Sequence, residues 1–438
     1  MAFVPIYIMI LGFTIVIDYF AGILLENTEG KKRKYWLIAS LVANIGVLAV
    51  FKYYNFLNNN LSELLNSFGY QNTIPNLSIL LPIGLSFHTF QAMSYTIEVY
   101  RGHYKAERHF GIYALYVMFY PQLVAGPIER PQNLLHQFYE KHEFNYDQIV
   151  EGLKLILWGL FMKLVIADRL AIYVNAIYNT SEQHGGKSFA LAAIFFAFQI
   201  YCDFAGYSNI AIGVARVMGF KLMTNFNRPY FSRSISEFWK RWHISLSTWF
   251  KDYLYISLGG NRVSIPRWYL NLFLVFTISG LWHGANWSFI IWGALHGFYM
   301  VFAIITENWR KLLGQLIRIE RFPKTNNIIQ TLITFLLVCF ALIFFRANNT
   351  HDAFLVIRKI ILMSGPLFID WTSSTVSYSI LGILFLFVVE LKQEYFKESV
   401  SFINHSSILV RYATYTLLFL TILLIGVFDG SQFIYFQF

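Results

Sequence analysis

Long uncharged apolar runs alternate with short polar stretches along the 438 residues of this chain. A helix needs about 20 mostly apolar residues to cross a bilayer, so the pattern predicts a bundle of membrane-spanning helices. The run 110–126 is short for a span and ends in a stretch containing Pro and Gly. The predicted spans are about 3–25, 35–57, 77–100, 110–126, 152–178, 188–212, 268–281, 286–306, 328–346, 374–391 and 408–428.

The uncharged run 268–306 is too long for one helix and short for two full helices and a turn. His283 lies at its middle, in SGLWHGANW, between Gly280 and Gly284. Irregular backbone at membrane depth is tolerated only against protein or a wet cavity. We therefore expect half-length helices meeting at a histidine that lines a cavity, with a helix-packing histidine as the alternative. His296, 13 positions later, would lie off that face on a continuous helix and is expected to pack.

Composition supports the membrane interpretation. Hydrophobic residues make up 56% of the chain and charged residues only 13%, whereas a soluble domain has about 25% charged residues. Cys202 and Cys339 both lie in apolar runs, so they predict neither a disulfide framework nor a zinc site. We expect one membrane domain over residues 1–438, of about 10–11 helices with additional re-entrant or interfacial helices.

The distribution of cations predicts an orientation. The net charge is +10, and KKRK at 31–34 and three cations in 101–109 alternate with a loop, 58–76, that has no Lys or Arg. Because Lys and Arg favour cytoplasmic loops, the N-terminus is expected outside. The cations are not gathered into one soluble basic domain, so we expect membrane lipids rather than nucleic acid as their partner.

The segment 213–267 holds nine Lys or Arg and two acidic residues, and it contains FWKRWHISLSTWFKDYLYI at 238–256. Alternating aromatics and cations predict helices at the cytoplasmic interface or dipping into a cavity. Headgroup anchoring by Trp, Tyr, Lys and Arg explains the same pattern. His243 and Ser245 lie in this segment. His243 and His283, with no Cys, Asp or Glu at ligand spacing, are weak evidence for a metal site, and no G-x-S-x-G indicates a catalytic triad. Asp203, at the end of an apolar run, is expected to form a structural ion pair.

Three blocks of residues together resemble the membrane-bound O-acyltransferase superfamily, in its bacterial polysaccharide O-acetylation branch. They are YCDFAGYSNIAIGVARVMGF, NFNRPYFSRSISEFWKRWHISLSTWFKDYLYISLGGNR and GLWHGANWSFIIWGALHG, and AGPIERPQNLL, FFRA and SQFIYFQF fit the same branch. The signature region covers 203–306, and the resemblance covers nearly the whole chain. Ala205 and Asn209 depart from the DFSGYSD pattern of the branch, which puts a charge role at residue 209 in doubt.

The resemblance implies a fold with a central tunnel and assigns catalysis to His283, with His243 as the second signature polar position. The hypothesis is that His283 takes the proton of an attacking hydroxyl, or is itself acylated and relays the group. The remaining candidates are oxyanion donors or acyl-donor contacts at Trp282, Gly284, Asn286 and Ser245, and donor-phosphate contacts at Lys240, Arg241 and Arg262.

The reaction that the resemblance implies moves an acyl group from a cytoplasmic thioester towards hydroxyls of an exported polysaccharide. The polysaccharide O-acetylation branch implies that this group is acetyl. The donor is acetyl-CoA or an acyl carrier protein, with no permanently bound cofactor and no metal. The partner is an extracytoplasmic SGNH-type acetyltransferase, and the location is the bacterial inner membrane. A transporter or flippase, or a non-catalytic scaffold of an export complex, is the alternative.

Overall fold

The computed structural model describes residues 7–79, 82, 84–123, 126–367, 373–396, 405–428 and 433–434. These residues are mostly helical, and no strand occurs among them. Seven of their helices are long and apolar enough to cross a membrane. The predicted all-α, multi-pass membrane class is therefore confirmed.

Helix formation follows from the apolar environment, where each spanning segment must satisfy its own backbone hydrogen bonds. The α-helices are α1 Tyr7–Asn27, α2 Lys32–Leu48, α3 Tyr54–Ser67, α4 Leu85–Arg101, α5 Phe110–Met118, α6 Pro131–Leu134, α7 Tyr146–Leu160, α8 Asp168–Tyr178, α9 Gly186–Val217, α10 Ile235–Arg241, α11 Ile244–Trp249, α12 Ile265–His283, α13 Trp287–Ile305, α14 Glu307–Leu316, α15 Pro323–Arg346, α16 Thr350–Leu362, α17 Ser373–Tyr395 and α18 Ile408–Ile425. Short π-helical segments at Ala49–Tyr53, Phe161–Ala167 and Phe250–Tyr255 continue α2, α7 and α11, and 3₁₀ turns lie at Leu135–Tyr139, Ser181–Gln183, Pro229–Phe231 and Ile319–Arg321.

The chain divides into two compact units, and the first comprises Met1–Ile149 and Val214–Met223. Within it α1, α2 and α4 pack together around a fully buried carboxylate, Asp18. Ser40 donates to Asp18 Oδ1 at 2.6 Å and Asn44 donates to Oδ2 at 2.8 Å. These bonds satisfy a polar group that would otherwise be costly to bury.

The second unit comprises Val150–Gly213 and Thr224–Phe438 and holds every candidate site residue. Its core packs α8, the buried face of α9 and the C-terminal half of α15 around aromatic side chains. The expectation of a single membrane domain over 1–438 is not decided by this division and stays a prediction.

The run 268–306 corrects one expectation. It forms two antiparallel helices of 19 residues each, α12 and α13, rather than half-length helices. The run looked too short because α12 begins at Ile265, within the polar stretch. A Cβ at Gly280 would lie 2.3 Å from the Phe289 carbonyl oxygen, and one at Gly293 would lie 2.9 Å from Gly280 Cα. The glycines therefore let two backbones touch.

A further expectation concerns the run 110–126, which is followed by the turn at Glu129. The run forms only the nine-residue helix α5 before the chain turns, as its short length indicated. Glu129, in the turn that follows, is fully buried. Its carboxylate accepts hydrogen bonds from the Met223 N–H and from Asn133 Nδ2. These bonds stabilise the turn.

Candidate active site

His243 occupies a strained backbone position between two short helices. α10 ends at Arg241, and His243 has φ 42° and ψ 55°, in the left-handed region that favours glycine, as the N-cap of α11. Non-glycine residues held in this region are destabilised by about 1–3 kcal/mol and persist only where their surroundings fix them. His243 is fully buried, with only 1% of its surface exposed.

Asn225 fixes the imidazole of His243. Its side-chain oxygen lies 3.1 Å from His243 Nδ1 and also accepts from the Ser245 hydroxyl at 2.9 Å and the Ser245 N–H at 3.2 Å. Because the Ser245 N–H is an obligate donor, the Asn225 atom facing it is the oxygen, and His243 Nδ1 must donate to it. Nε2 is then the basic nitrogen of the neutral ring.

Asn225 is itself held in place. Its Nδ2 donates to the Ser208 hydroxyl at 3.2 Å, and its backbone carbonyl accepts from the Ile244 N–H at 2.9 Å. Asn225 lies in the NFNRPYF block of the family resemblance but is not among the residues predicted from the sequence. A buried amide 18 residues before the histidine carried no spacing signal, so only the fold brings the two together.

His283 ends α12 in an aromatic enclosure. Its ring makes edge contacts with Trp292 at 4.9 Å and Phe345 at 5.4 Å between centroids, and its side chain is 4% exposed. The ring of Trp282 lies 4.8 Å from that of His283 and 6.5 Å from that of His243. The structure therefore brings both predicted histidines to one tryptophan, across 40 residues of sequence.

A cavity lies beside His283, lined also by Trp242, Trp292 and Phe345. Its volume of about 10 Å³ is room for about one water molecule. The cavity is too small for an acyl group, which could enter only after the aromatic side chains that line it had moved. The tunnel that the resemblance implies stays a prediction.

His296 lines the same cavity, although it was expected only to pack. The expectation assumed one continuous helix, whereas the hairpin returns α13 beside α12. Trp239 Nε1 donates to His296 Nδ1 at 3.3 Å, which leaves the proton of the neutral ring on Nε2. A role in packing and a place in the cavity are therefore compatible.

The four oxyanion candidates make different interactions in the structure. The Ser245 hydroxyl donates to Asn225, and the Asn286 side chain caps α13 by accepting from the Ser288 N–H at 3.0 Å. Gly284 is buried against the Phe289 ring. The ring of Trp282 lies near the rings of both histidines. Their roles towards an oxyanion stay predictions.

The three candidate phosphate ligands also differ. Arg241 donates to Glu394 at 2.9 and 3.0 Å and to Glu237 at 2.7 Å. Lys240 and Arg262 are exposed. A guanidinium already neutralised by two carboxylates is a weaker anion ligand than an exposed cation. The donor-phosphate role of all three stays a prediction.

The ion pair expected at Asp203 is confirmed. Lys163 Nζ lies 2.7 Å from both Asp203 and Asp168, and the second Asp203 oxygen accepts from the Ile434 N–H at 2.8 Å. Phe433, from SQFIYFQF, packs against Phe204, whose ring contacts His243 at 4.6 Å. Residues 431–432 and 435–438 of that motif, and 125 of AGPIERPQNLL, lie outside the described residues.

Comparison with known proteins gives a family match and several relatives. The model of the membrane-bound O-acyltransferase family matches residues 106–346, which include both histidines. The chain is 41% identical over 349 residues to the probable alginate O-acetylase AlgI of Pseudomonas aeruginosa, covering 79% of this chain and 64% of that protein. It is 35% identical over 387 residues to the peptidoglycan O-acetyltransferase of Helicobacter pylori, covering 82% and 71%.

A more distant relative is the teichoic acid D-alanyltransferase of Bacillus subtilis, 28% identical over 293 residues and covering 63% of this chain and 71% of that protein. The family match spans more than half of the chain. This chain is a member of the membrane-bound O-acyltransferase family. Its matched part spans a little under two thirds of the length of the Pseudomonas relative.

Proposed function

We propose that this protein is a membrane O-acyltransferase that moves an acyl group, acetyl in the first instance, from a cytoplasmic thioester towards hydroxyls of an exported polysaccharide. The observation that carries the proposal is the pair of buried histidines at Trp282 in a member of this family. The names of the Pseudomonas and Helicobacter relatives, an O-acetylase and an O-acetyltransferase, support acetyl as the group and a glycan as the acceptor.

In the proposed mechanism, His283 removes the proton of the attacking hydroxyl as the oxygen attacks the thioester carbonyl. The carbonyl electrons move to oxygen, and collapse of this oxyanion expels the thiolate, which takes up the proton. Trp282 Nε1 is the favoured oxyanion donor because its ring contacts the rings of both histidines. His243, held by Asn225, offers its Nε2 to position the thioester or the acceptor.

A covalent relay through His283 is the second version of this mechanism. There the ring nitrogen attacks the thioester, and the leaving thiolate takes up a proton from the ring. The hydroxyl then attacks the acyl-imidazole, forms the ester and returns its proton to the ring. The cations of 213–267 supply the cytoplasmic face at which acetyl-CoA or an acyl carrier protein arrives, with Lys240 and Arg262 exposed. With this face in the cytoplasm, the N-terminus lies on the extracytoplasmic side of the bacterial inner membrane. An SGNH-type partner on that side completes transfer to the polymer.

The test is thioester cleavage and acetyl transfer by the purified full-length protein in vesicles. His283→Ala should lose about 10²–10⁴-fold in transfer, while His351→Ala, which removes a mostly exposed imidazole from α16, should match the wild type. Transfer retained by the His283 variant would exclude both the base and the relay.

The same assay separates the rival classes. A transporter or flippase would leave thioester intact while moving its cargo, and a scaffold would be insensitive to both histidine substitutions. Wild-type thiol release that depends on His283 would exclude both rivals.

A further inference from the structure

A second, much larger cavity lies in the second unit, away from His283. Its volume is about 600 Å³, within the range of about 300–1,000 Å³ typical of small-molecule sites. α15 and α17 form its two long walls, and Phe198 of α9 and the turn at Tyr230 and Phe231 form its floor. The proposed reaction uses none of these residues.

The cavity opens sideways through apolar residues. Ile328 and Leu332 of α15 and Phe387 of α17 line it and are 67%, 54% and 45% exposed. In a membrane these surfaces face hydrocarbon, because they lie on two candidate spans. The opening therefore admits a lipid chain rather than a soluble thioester.

The length of the cavity matches one leaflet. α15 lines it from Lys324 to Phe335 on a single face, and 11 residues at 1.5 Å each span about 16 Å. The hydrocarbon core of a bilayer is about 30 Å thick, so half of it is about 15 Å. α17 lines the cavity over a similar length, from Leu386 to Tyr395.

Charge is concentrated at one end. Lys324, in the first turn of α15, is exposed at the cavity, and the positive end of the α15 helix dipole lies at the same place. The stretch 307–324, which ends at Lys324, holds five Lys or Arg against two Glu. Its helix α14 exposes Trp309, Leu312 and Leu316, as an interfacial helix does.

The acidic side chain in the wall of the cavity already has a hydrogen-bond partner within the protein. Glu390 lines the cavity but is buried, and the Tyr201 hydroxyl donates to its carboxylate. The deep part of the cavity therefore offers an apolar surface, and the cationic end offers the complement of a phosphate. This polarity is that of an anionic phospholipid.

We propose that this cavity binds one anionic glycerophospholipid, with an acyl chain between α15 and α17 and its phosphate at Lys324. The same face of α15 continues to Val338 and Leu342 in the wall of the His283 cavity. The bound chain therefore packs one to two helical turns from the candidate active site. The proposal does not depend on acyl transfer, because it concerns binding alone.

Native mass spectrometry of the full-length protein in mild detergent tests it, with palmitoyl-oleoyl phosphatidylglycerol or phosphatidylcholine added at equal concentration. The wild type should retain one phosphatidylglycerol and hold phosphatidylcholine more weakly. Leu332→Trp, which fills the cavity, should lose both lipids. Leu336→Trp, an equally exposed leucine one turn further along α15 and outside the cavity, should retain both.

The headgroup contact has its own matched pair. Lys324→Gln should weaken phosphatidylglycerol retention about fivefold and leave phosphatidylcholine unchanged. Arg267→Gln, an exposed cation that likewise follows a proline in the first turn of a helix, should change neither. Equal retention by the two tryptophan variants, or equal retention of the two lipids by the wild type, would overturn the proposal.

A second measurement on the wild type covers the case in which Leu332→Trp does not fold. Phosphatidylglycerol with a photoreactive diazirine in its acyl chain should crosslink to the peptides containing 328–335 or 386–391. Crosslinks confined to other helices would refute the site.

Discussion

Asn225→Ala tests whether His243 is held for function or merely buried. The substitution removes the oxygen that accepts from His243 Nδ1 at 3.1 Å and from the Ser245 hydroxyl at 2.9 Å. A buried donor left without its partner is destabilising by about 1–3 kcal/mol. If that energy also holds the ring in its reactive orientation, kcat should fall about 5- to 150-fold with little change in donor KM.

The assay is thiol release from the thioester donor in vesicles, normalised to the folded, monodisperse fraction, with the melting temperature measured in parallel. Asn271→Ala is the matched control, because Asn271 is also fully buried and its Nδ2 donates to the Leu258 and Gly260 carbonyls at 3.1 Å. Asn271→Ala should lower the melting temperature without lowering activity per folded molecule.

Two results would refute the reasoning. Equal activity per folded molecule in the Asn225 and Asn271 variants would make Asn225 a purely structural residue. A fall in activity accompanied by a large rise in donor KM would instead make the pair a donor-binding contact.

Three further predictions concern the scaffold. Gly280→Val should abolish recovery of monodisperse protein, because a Cβ there would lie 2.3 Å from the Phe289 carbonyl oxygen; normal recovery would refute the close α12–α13 packing. Glu394→Gln should lower the melting temperature and leave donor KM unchanged, whereas a rise in KM with Arg241→Ala alone would assign that arginine to donor phosphate. Burial raises the pKa of Glu237, but a backbone N–H and the Arg241 guanidinium outweigh it and lower that pKa below the ordinary 4.5. The ionised Glu237 therefore stabilises the fold above pH 4.5, and this contribution is lost as pH falls through the lower native pKa. Acidification should therefore lower the melting temperature of the wild type more than that of Glu237→Gln.

Much of the candidate site was accessible from the sequence because its residues sit in unusual local contexts. His283 is conspicuous as an ionisable side chain in an uncharged run, and the WHG and FWKRWH blocks carry a family resemblance that the family model supports. Asp203 was expected in an ion pair because a carboxylate in an apolar run needs a partner. Its partner, Lys163, could not be named, since 40 residues separate them.

The expectations that failed depended on assumptions about chain geometry. His296 was placed off the face of His283 by counting along one helix, but the chain reverses between them at Gly284–Asn286. Glu129 lies in a short turn between Pro127 and Pro131, and its carboxylate is buried against Met223. Neither outcome can be obtained from local pattern, because each depends on which helix packs beside the segment.

The sequence by itself determined that this chain is an all-helical membrane protein, because the bilayer requires long apolar runs that satisfy their own backbone and leaves few alternatives. It also determined which histidines stand out, because an ionisable group in such a run is rare. Only the tertiary structure decided that Asn225 orients His243, that Trp282 contacts both histidines, and that α15 and α17 enclose a separate cavity. These arrangements depend on packing between helices far apart in the chain, where apolar side chains fit many partners and local sequence does not choose among them.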